Sequence, residues 1–382
     1  MRTPLGWLQL RHDPGRFLVA LAGIAFADLL MFMQLGFQAA LYDSNTRLDR
    51  SFRADVVLIS PKALNLQNLS TFPRRRLLQA LDVPGVSEAQ GLYIRTVTWR
   101  NPQTLRSATV QVLGFNPDAD VLRLPEVRAQ ADLLKLPDTV LFDRGARGQY
   151  KEAIARIDRG ERVTSEIERR TITVGGLFRL GASFGADATL MASDQTFLRM
   201  FPRVSAGSVS VGLLTLAPGA SSEGVVEALR RHLPNDVKVL SQADFVQFEE
   251  NYWRVASPVG FIFGLGTAMA FAVGVVIVVL VLSNDVNAHL AEYATFKAMG
   301  FRNRFLLLVV VEQALILAAL GFIPGALMPL WLYAVAAQAT SLPIAMTLER
   351  AVVVFVLTLA MCLASGAIAT RRLQAADPAE LF

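Results

Sequence analysis

The chain has 382 residues, of which 18% are charged and 53% hydrophobic, and its formal net charge is +5. A soluble domain carries about 25% charged residues, and a disordered chain combines low hydrophobicity with high net charge. The composition therefore excludes disorder and disfavours an ordinary soluble protein. A charge of +5 over this length is also too dilute to indicate a nucleic-acid-binding protein.

Most of the excess of hydrophobic residues lies in four long segments of the sequence, called runs below. They contain only two charged residues, Asp28 in the first run and Glu312 in the third. A helix of about 20 apolar residues crosses the hydrocarbon core of a bilayer, so each run predicts a transmembrane helix. The first run is too long for the apolar part of a signal peptide, which favours a retained span. Pro324 and Pro329 predict a kinked or broken third span, or a span over about 305–328 that is followed by an interfacial stretch.

The basic residues near the spans predict the orientation. They occur in the N-terminal tail, in the loop 284–304 and in the C-terminal tail, whereas 342–349 has none. Both termini and the loop 284–304 are therefore expected in the cytoplasm. The expected fold is an α-helical membrane protein with four transmembrane helices plus an extracytoplasmic α/β (α+β) domain inserted between helices 1 and 2. The expected parts are a cytoplasmic tail (1–16), helix 1 (17–41), the periplasmic domain (42–256), helix 2 (257–283), a cytoplasmic loop (284–304), a kinked helix 3 (305–337), a short periplasmic loop (338–350), helix 4 (351–370) and a cytoplasmic tail (371–382).

The segment between the first two spans has mixed patterns that predict a folded domain. Strands are expected at 54–60, 91–99, 107–115, 170–178 and 237–241, and helices at 72–86 and 222–233, the latter capped by Ser222. A helix over 241–257 is expected to continue into the second span without a break, which would transmit motion rigidly.

The patterns of several catalytic and metal sites are weak or missing. No lysine follows a glycine, so the chain has no phosphate-binding P-loop, and the three histidines are far apart. The run GASFG at 181–185 has the form of a nucleophile elbow, but no helical pattern follows it. The sequence therefore predicts a non-catalytic protein without a metal site. Cys362, inside the fourth span, is expected to be structural.

Asp28 and Glu312 are the candidate intramembrane polar residues. The favoured interpretation is hydrogen bonding between helices, with Ser, Thr or Gln neighbours such as Gln34 and Gln313. The alternative is a relay for protons or ions, which usually needs more than two ionisable groups.

The loop 284–304 is the most informative segment. Residues 289–305 read HLAEYATFKAMGFRNRF, and their spacing predicts a short amphipathic helix that ends at Gly300. Spacing alone leaves an ordinary surface helix and a docking helix equally open. The segment resembles the coupling segment of FtsX/MacB-type ABC transporter permeases, with His289 where a basic residue is usual. The residues that this resemblance implies for ATPase coupling are Leu290, Glu292, Tyr293, Phe296, Lys297, Met299 and Gly300.

Two further segments carry the resemblance. The tail sequence DPAE at 377–380 resembles the family's C-terminal motif, and 174–201 resembles the DevC branch, the heterocyst-type exporter permeases. The resemblance implies a homodimer in the inner membrane that works with a cytoplasmic ABC ATPase, a periplasmic membrane-fusion protein and a TolC-like outer-membrane protein. It implies no cofactor in this chain, with ATP on the partner ATPase, and possible export of a glycolipid or another envelope component. An FtsX-like regulator that activates a periplasmic cell-wall hydrolase is the alternative.

Overall fold

The computed structural model describes residues 5–288, 295, 299 and 303–375. The chain divides into two units. The helical unit comprises residues up to Ala39, Val259–Ala337 and the residues from Ile344 onward, and the β-rich unit comprises Ala40–Pro258 and Gln338–Pro343.

Helices make up the first unit and cover parts of the second. In chain order they are α1 (Leu5–His12), α2 (Pro14–Ser51), α3 (Arg75–Leu81), α4 (Pro125–Ala129), α5 (Ala131–Leu134), α6 (Lys151–Asp158), α7 (Asp194–Met200), α8 (Ser222–His232), α9 (Gln242–Asn251), α10 (Pro258–Ala288), α11 (Asn303–Thr340) and α12 (Leu348–Ala375). A π-helical turn, Tyr252–Ala256, follows α9. The hydroxyl of Ser221, and not that of Ser222 as predicted, caps α8 by accepting from the Gly224 N–H.

Four of these helices are long and apolar enough to cross a membrane, which confirms the four predicted apolar helices. The spans are Pro14–Ser51, Pro258–Asn284, Leu307–Thr340 and Leu348–Ala369. Helix α2 extends ten residues beyond the apolar run that ends at Leu41. Pro324 and Pro329 both lie inside α11, which is helical on either side of them.

The strands belong almost entirely to one large sheet. In chain order they are β1 (Val56–Ile59), β2 (Phe72–Pro73), β3 (Val86–Arg100), β4 (Ser107–Phe115), β5 (Thr139–Asp143), β6 (Val163–Ile167), β7 (Arg170–Phe178), β8 (Ala188–Ser193), β9 (Ser208–Val209), β10 (Val211–Leu216) and β11 (Lys238–Ser241). The large sheet has the order β11-β1-β10-β3-β4-β8-β5-β7-β6, and β2 pairs with β9.

The sheet closes partly on itself. Trp99 of β3 pairs with Ile167 of β6, so β3, β4, β8, β5, β7 and β6 form a ring of paired strands. The Trp99 and Phe142 rings stack with centroids 5.3 Å apart, and Tyr150 packs on Phe142 at 4.9 Å. Such aromatic pairs stabilise a core beyond the area that they bury.

Strand β1 is buried on both faces of the sheet. Val56 and Leu58 point into one hydrophobic cluster, and Val57 and Ile59 point into another. The second cluster also contains Leu48, near the end of α2. The sheet therefore fixes the position of the end of α2, which is described in the next subsection.

The expected unbroken helix from 241 into the second span is wrong. Ser257 has extended backbone angles (φ −86°, ψ 136°), and α10 begins afresh at Pro258. The proline ring disfavours helical angles at the residue before it, which explains the break. The chain does have one long unbroken helix at this end of the β-rich unit, but it is α2 and not the segment before α10.

Candidate coupling site

The predicted coupling residues fall largely outside the described part of the chain. Leu290, Glu292, Tyr293, Phe296, Lys297 and Gly300 all lie there. Met299 is described, and its side chain is 60% exposed. Its backbone N–H donates to the carbonyl oxygen of Thr295 at 3.0 Å, the i to i−4 bond of an α-helical turn.

Asp28 lies inside the helical unit with no exposed surface. Its Oδ1 accepts a 2.6 Å hydrogen bond from the Thr358 hydroxyl on α12. Threonine was one of the expected partner types, although Gln34 and Gln313 were the examples named. Gly325 of α11 packs directly on Asp28, since a Cβ at Gly325 would lie 2.7 Å from the Asp28 Cβ. Asp28 therefore meets two other helices at one point, as expected for a polar residue that joins helices.

Glu312, the second intramembrane carboxylate, is half-buried. It lies on α11, thirteen residues before Gly325, which corresponds to about 20 Å along a helix. The structure therefore does not bring Glu312 to Asp28, and the two do not form the linked pair that a relay would need.

The last twelve residues of α2, which we call the helix foot (residues 40–51), belong to the β-rich unit. Leu48 and the residue that follows the foot, Phe52, are fully or almost fully buried in the same cluster as Val57 and Ile59. The Phe52 ring stacks on Phe245 of α9 with centroids 6.1 Å apart. The helix foot is thus part of the hydrophobic core of this unit.

Polar contacts fix the rotation of the helix foot. The Arg47 guanidinium donates a 2.6 Å hydrogen bond to the carbonyl oxygen of Leu180. Gly181 permits this contact, because its φ of +103° is disfavoured for other residues and a Cβ there would lie 2.1 Å from Arg47 Nη1. On the other side of the foot, the Gln242 amide donates to the carbonyl oxygen of Asp49 at 2.6 Å.

Asp143 stabilises the loop around Leu180 and Gly181, to which Arg47 donates its hydrogen bond. Its carboxylate accepts hydrogen bonds from the backbone N–H groups of Gly145, Leu180 and Gly181 at 2.7–3.0 Å. Burial raises the pKa of Asp143, and the backbone donors and the nearby charge of Arg47 oppose that rise.

Two carboxylates here are buried: Asp49, which is part of the helix foot, and Glu249, which lies on α9. Glu249 accepts from the Leu66 N–H at 2.7 Å and from the Trp253 indole N–H at 2.8 Å. Burial raises the pKa of Glu249 to about 7, and these hydrogen bonds oppose the rise. The Asp49 side chain has no exposed surface, and neither of its carboxylate oxygens has a hydrogen-bond partner in the part of the chain that the structure describes.

Arg147 joins the segment 338–343 to the rest of the β-rich unit. Its guanidinium donates to the carbonyl oxygens of Thr340 at 2.9 Å and Ser183 at 2.7 Å. It also forms an ion pair with Asp187 at 3.3 Å. The β-rich unit therefore holds both the end of α2 and the segment that follows α11.

The arrangement contains no catalytic pattern within the described ranges. The hydroxyl of Ser183, in the run GASFG, accepts from the backbone N–H groups of Gly185 and Ala186 in its own turn, and strand β8 follows where a nucleophile elbow needs a helix. Over residues 5–288 and 303–375 and the two isolated positions, no three His, Cys, Asp or Glu side chains are placed to hold a metal ion.

One comparison with known proteins identifies part of the chain. Residues 264–378 match the model of the family described as FtsX-like permease C-terminal. This segment is similar to the FtsX-like permease domain. The match begins inside α10 and includes the loop 284–304 and α11, so the FtsX-like part of the sequence resemblance is confirmed there. The DevC branch stays a prediction.

Two solved structures are similar over about half of the chain. The periplasmic region of MacB from Actinobacillus actinomycetemcomitans is 13% identical with a TM-score of 0.33, and the match covers 51% of this chain and 92% of that one. The extracellular domain of the noncanonic ABC-type transporter YknZ from Gram-positive bacteria is 12% identical with a TM-score of 0.33, covering 50% and 100%. The comparison with curated proteins gave no match.

The sequence reasoning missed the helix foot, the contact of its Arg47 with Leu180, and the separate contact of Arg147 with Thr340. The apolar run ends at Leu41, and the following residues YDSNTRLDRS are polar. The only available signal was the spacing of Leu48 and Phe52, four residues apart as on one helix face. Nothing in the sequence indicates that Arg47 meets Leu180 or that Arg147 meets Thr340, because these residues are more than 130 positions apart.

Proposed function

We propose that the chain is the permease subunit of a MacB/DevC-like ABC exporter. A separate cytoplasmic ATPase binds the ATP, and this chain transmits its motion to the β-rich unit on the periplasmic side. The observation that carries the proposal is the FtsX-like match over 264–378, which includes the candidate coupling segment.

Helix α2 supports the transmission step. It is one helix of 38 residues, and its final twelve lie in the β-rich unit. Leu48 and Phe52 are in a hydrophobic core and Arg47 is hydrogen-bonded, so the foot cannot shift without moving that core. A motion that reaches α2 inside the membrane is therefore passed on to the β-rich unit.

The remaining assignments follow from the family resemblance. Both termini and the loop 284–304 lie in the cytoplasm, and the chain forms a homodimer in the inner membrane. The β-rich unit works with a membrane-fusion protein and a TolC-like outer-membrane duct. The chain carries no cofactor, and the exported compound is a glycolipid or another envelope component.

Charge reversal in the coupling segment tests the proposal. Glu292→Lys and Lys297→Glu are each introduced into the tagged full chain, which is co-expressed with a candidate partner ABC ATPase from the same organism. We expect reduced co-purification of the ATPase and reduced stimulation of ATP hydrolysis. Glu223→Lys, on an exposed position of α8, is the matched control. Unchanged co-purification and stimulation in both variants would refute the coupling assignment.

A binding experiment with the same purified chain distinguishes an exporter from a regulator. An exporter binds a membrane-fusion protein through the β-rich unit, whereas an FtsX-like regulator binds a cell-wall hydrolase. Purified candidates of the two kinds are offered to the same full chain, and binding of the hydrolase alone would replace the export assignment by the regulatory one.

A further inference from the structure

An open cleft of about 630 Å³ lies in the β-rich unit, between the helix foot and α9. Its cationic lining residues are Arg50, Arg123 and Arg254, and its single carboxylate is Glu250. The formal charge of the lining is therefore +2. Ala243 and Val246 give it an apolar wall.

The three arginines are available to an anion. Arg123 is exposed, and its guanidinium forms no ion pair or hydrogen bond with any residue that the structure describes. Arg50 lies 3.8 Å from Asp43 and Arg254 pairs with Glu250, and both arginine side chains are more than half exposed. Exposed pairs of this kind stabilise a protein only weakly, so a phosphate group can replace them.

One end of the cleft adjoins the two apolar spans in the chain. Tyr42 is the first residue after the apolar run of α2, and Arg254 precedes the start of α10 by four residues. The Arg254 guanidinium carbon lies 5.6 Å from the centre of the Tyr42 ring. Tyrosine and arginine at the end of a span are typical of the level of lipid headgroups.

The other end of the cleft lies farther along α2. Arg50 is eight residues beyond Tyr42, about 12 Å along a helix. The backbone N–H of Arg123 donates to the carbonyl oxygen of Ser51 at 2.6 Å, which places Arg123 beside Arg50. Positive charge is therefore present along the whole cleft, from Arg254 near Tyr42 to Arg50 and Arg123.

We propose that this cleft binds the phosphate headgroup of an anionic membrane phospholipid, with Arg50, Arg123 and Arg254 as its cationic contacts. Guanidinium groups bind phosphate oxygens through charge-assisted hydrogen bonds. The apolar wall and the adjoining spans favour a lipid over a free anion. The site goes beyond the proposed function, since lipid binding requires neither an ATPase nor transport.

Photocrosslinking tests the site. The full chain is reconstituted in nanodiscs that contain phosphatidylglycerol with a photoreactive group near its headgroup, and adducts are mapped to peptides. We expect adducts at residues 42–54 and 242–257. In the triple variant Arg50→Gln/Arg123→Gln/Arg254→Gln the adduct yield should fall by about tenfold or more, because the loss of even one charge-assisted hydrogen bond weakens binding by about that factor.

Three matched controls accompany this measurement. The triple variant Arg106→Gln/Arg162→Gln/Arg203→Gln removes equal charge from exposed positions of the β-rich unit outside the cleft, and its adducts should equal those of the wild type. Photoreactive phosphatidylcholine, which has no net charge, should give few adducts in the cleft. Millimolar inorganic phosphate should not displace the phosphatidylglycerol adducts.

Three outcomes would overturn the proposal. One is an equal yield of cleft adducts in the wild type and the cleft variant. Another is equal capture of phosphatidylcholine, which would show ordinary contact with the bilayer. The third is full displacement by inorganic phosphate, which would make the cleft a site for free anions.

Discussion

The guanidinium of Arg47 donates its hydrogen bond to the Leu180 carbonyl directly beside Gly181, a glycine with a positive φ. The contact joins the end of a membrane-spanning helix to a loop between two strands of the β-rich unit. It depends on the absence of a side chain at Gly181, and this dependence can be measured.

Replacing Gly181 by alanine should displace Arg47 and loosen the helix foot. We expect Gly181→Ala to lower the free energy of unfolding of the β-rich unit by about 1–3 kcal/mol for backbone strain, plus about 1 kcal/mol or more for the lost hydrogen bond. Gly219→Ala is the matched control, because Gly219 also has a positive φ (+86°) but has no atom within 4 Å of the added Cβ.

The measurement uses the full chain in detergent with Trp7→Phe and Trp331→Phe, so that Trp99 and Trp253 report on the β-rich unit alone. Both glycine substitutions are also made in an Arg47→Ala background. If Gly181→Ala acts by displacing Arg47, it should lower the free energy of unfolding there by no more than Gly219→Ala does. An equal extra cost in both backgrounds would contradict the proposed displacement of Arg47.

The Glu249 carboxyl should make the β-rich unit less stable at high pH. Its pKa in the fold is about 7, above the ordinary 4.5, so the folded state binds more protons than the unfolded state between these values. The stabilisation is complete below about pH 4.5 and is lost as the pH rises through 7, by at most about 3 kcal/mol. We expect Glu249→Gln to flatten this pH dependence.

Chemical unfolding of the full chain from pH 5 to pH 8 measures this effect. The emission of Trp253 provides a second reading, because its indole N–H donates directly to Glu249. Exposed Glu223→Gln serves as the control and should keep the wild-type slope. An unchanged slope in Glu249→Gln would assign the pH dependence to another group, of which Asp49 is the nearest buried candidate.

The hydrogen bond between Thr358 and Asp28 should stabilise the helical unit. Thr358→Val removes the hydroxyl at nearly constant volume, and we expect a loss of about 0.6–1.7 kcal/mol, the range measured for such bonds between membrane helices. Thr267→Val is the control, since the Thr267 hydroxyl donates to Phe263 of its own helix. Equal loss of helicity for both variants in an SDS titration would argue against a contribution from Asp28.

Gly325 should be intolerant of even one methyl group. A Cβ there would lie 2.7 Å from the Asp28 Cβ and 3.2 Å from the Ala25 Cα, so α2 and α11 would have to separate locally. Overpacking of this kind costs about 1–3 kcal/mol. Gly264→Ala on α10, where the added Cβ meets no atom within 4 Å, should cost far less in the same SDS titration. Similar losses at both positions would rule out a steric cause.

The elements that sequence reasoning predicted are those with a strong local pattern. Strand β7 lies at 170–178, as expected, and helix α8 and strand β11 agree within one residue. The hairpin of β3 and β4 was also expected, because two alternating strands flank the turn residues of NPQTLR. Hydropathy located the four spans for the same reason, since their signal lies within one continuous stretch.

Most of the features that were missed depend on contacts between distant residues, and one of them is local. The break at Ser257 is a local effect of Pro258. The prediction missed it because it followed the helical pattern of 241–257. The order of strands and the contacts of Arg47, Glu249 and Arg147 have no local signal. In the candidate site, a serine, threonine or glutamine partner was expected for Asp28, but the sequence did not indicate that this partner is Thr358.

Because the helix foot is part of the core of the β-rich unit, a water-soluble fragment of this unit should include it. A fragment that starts at β1 would discard Leu48 and Phe52 and leave the ring of Phe245 uncovered, at a cost of about 1.5–3 kcal/mol for each large side chain lost. Starting at residue 40 retains them. Even that fragment ends before Thr340, so Arg147 would lack one carbonyl acceptor until the peptide 338–343 is supplied in trans.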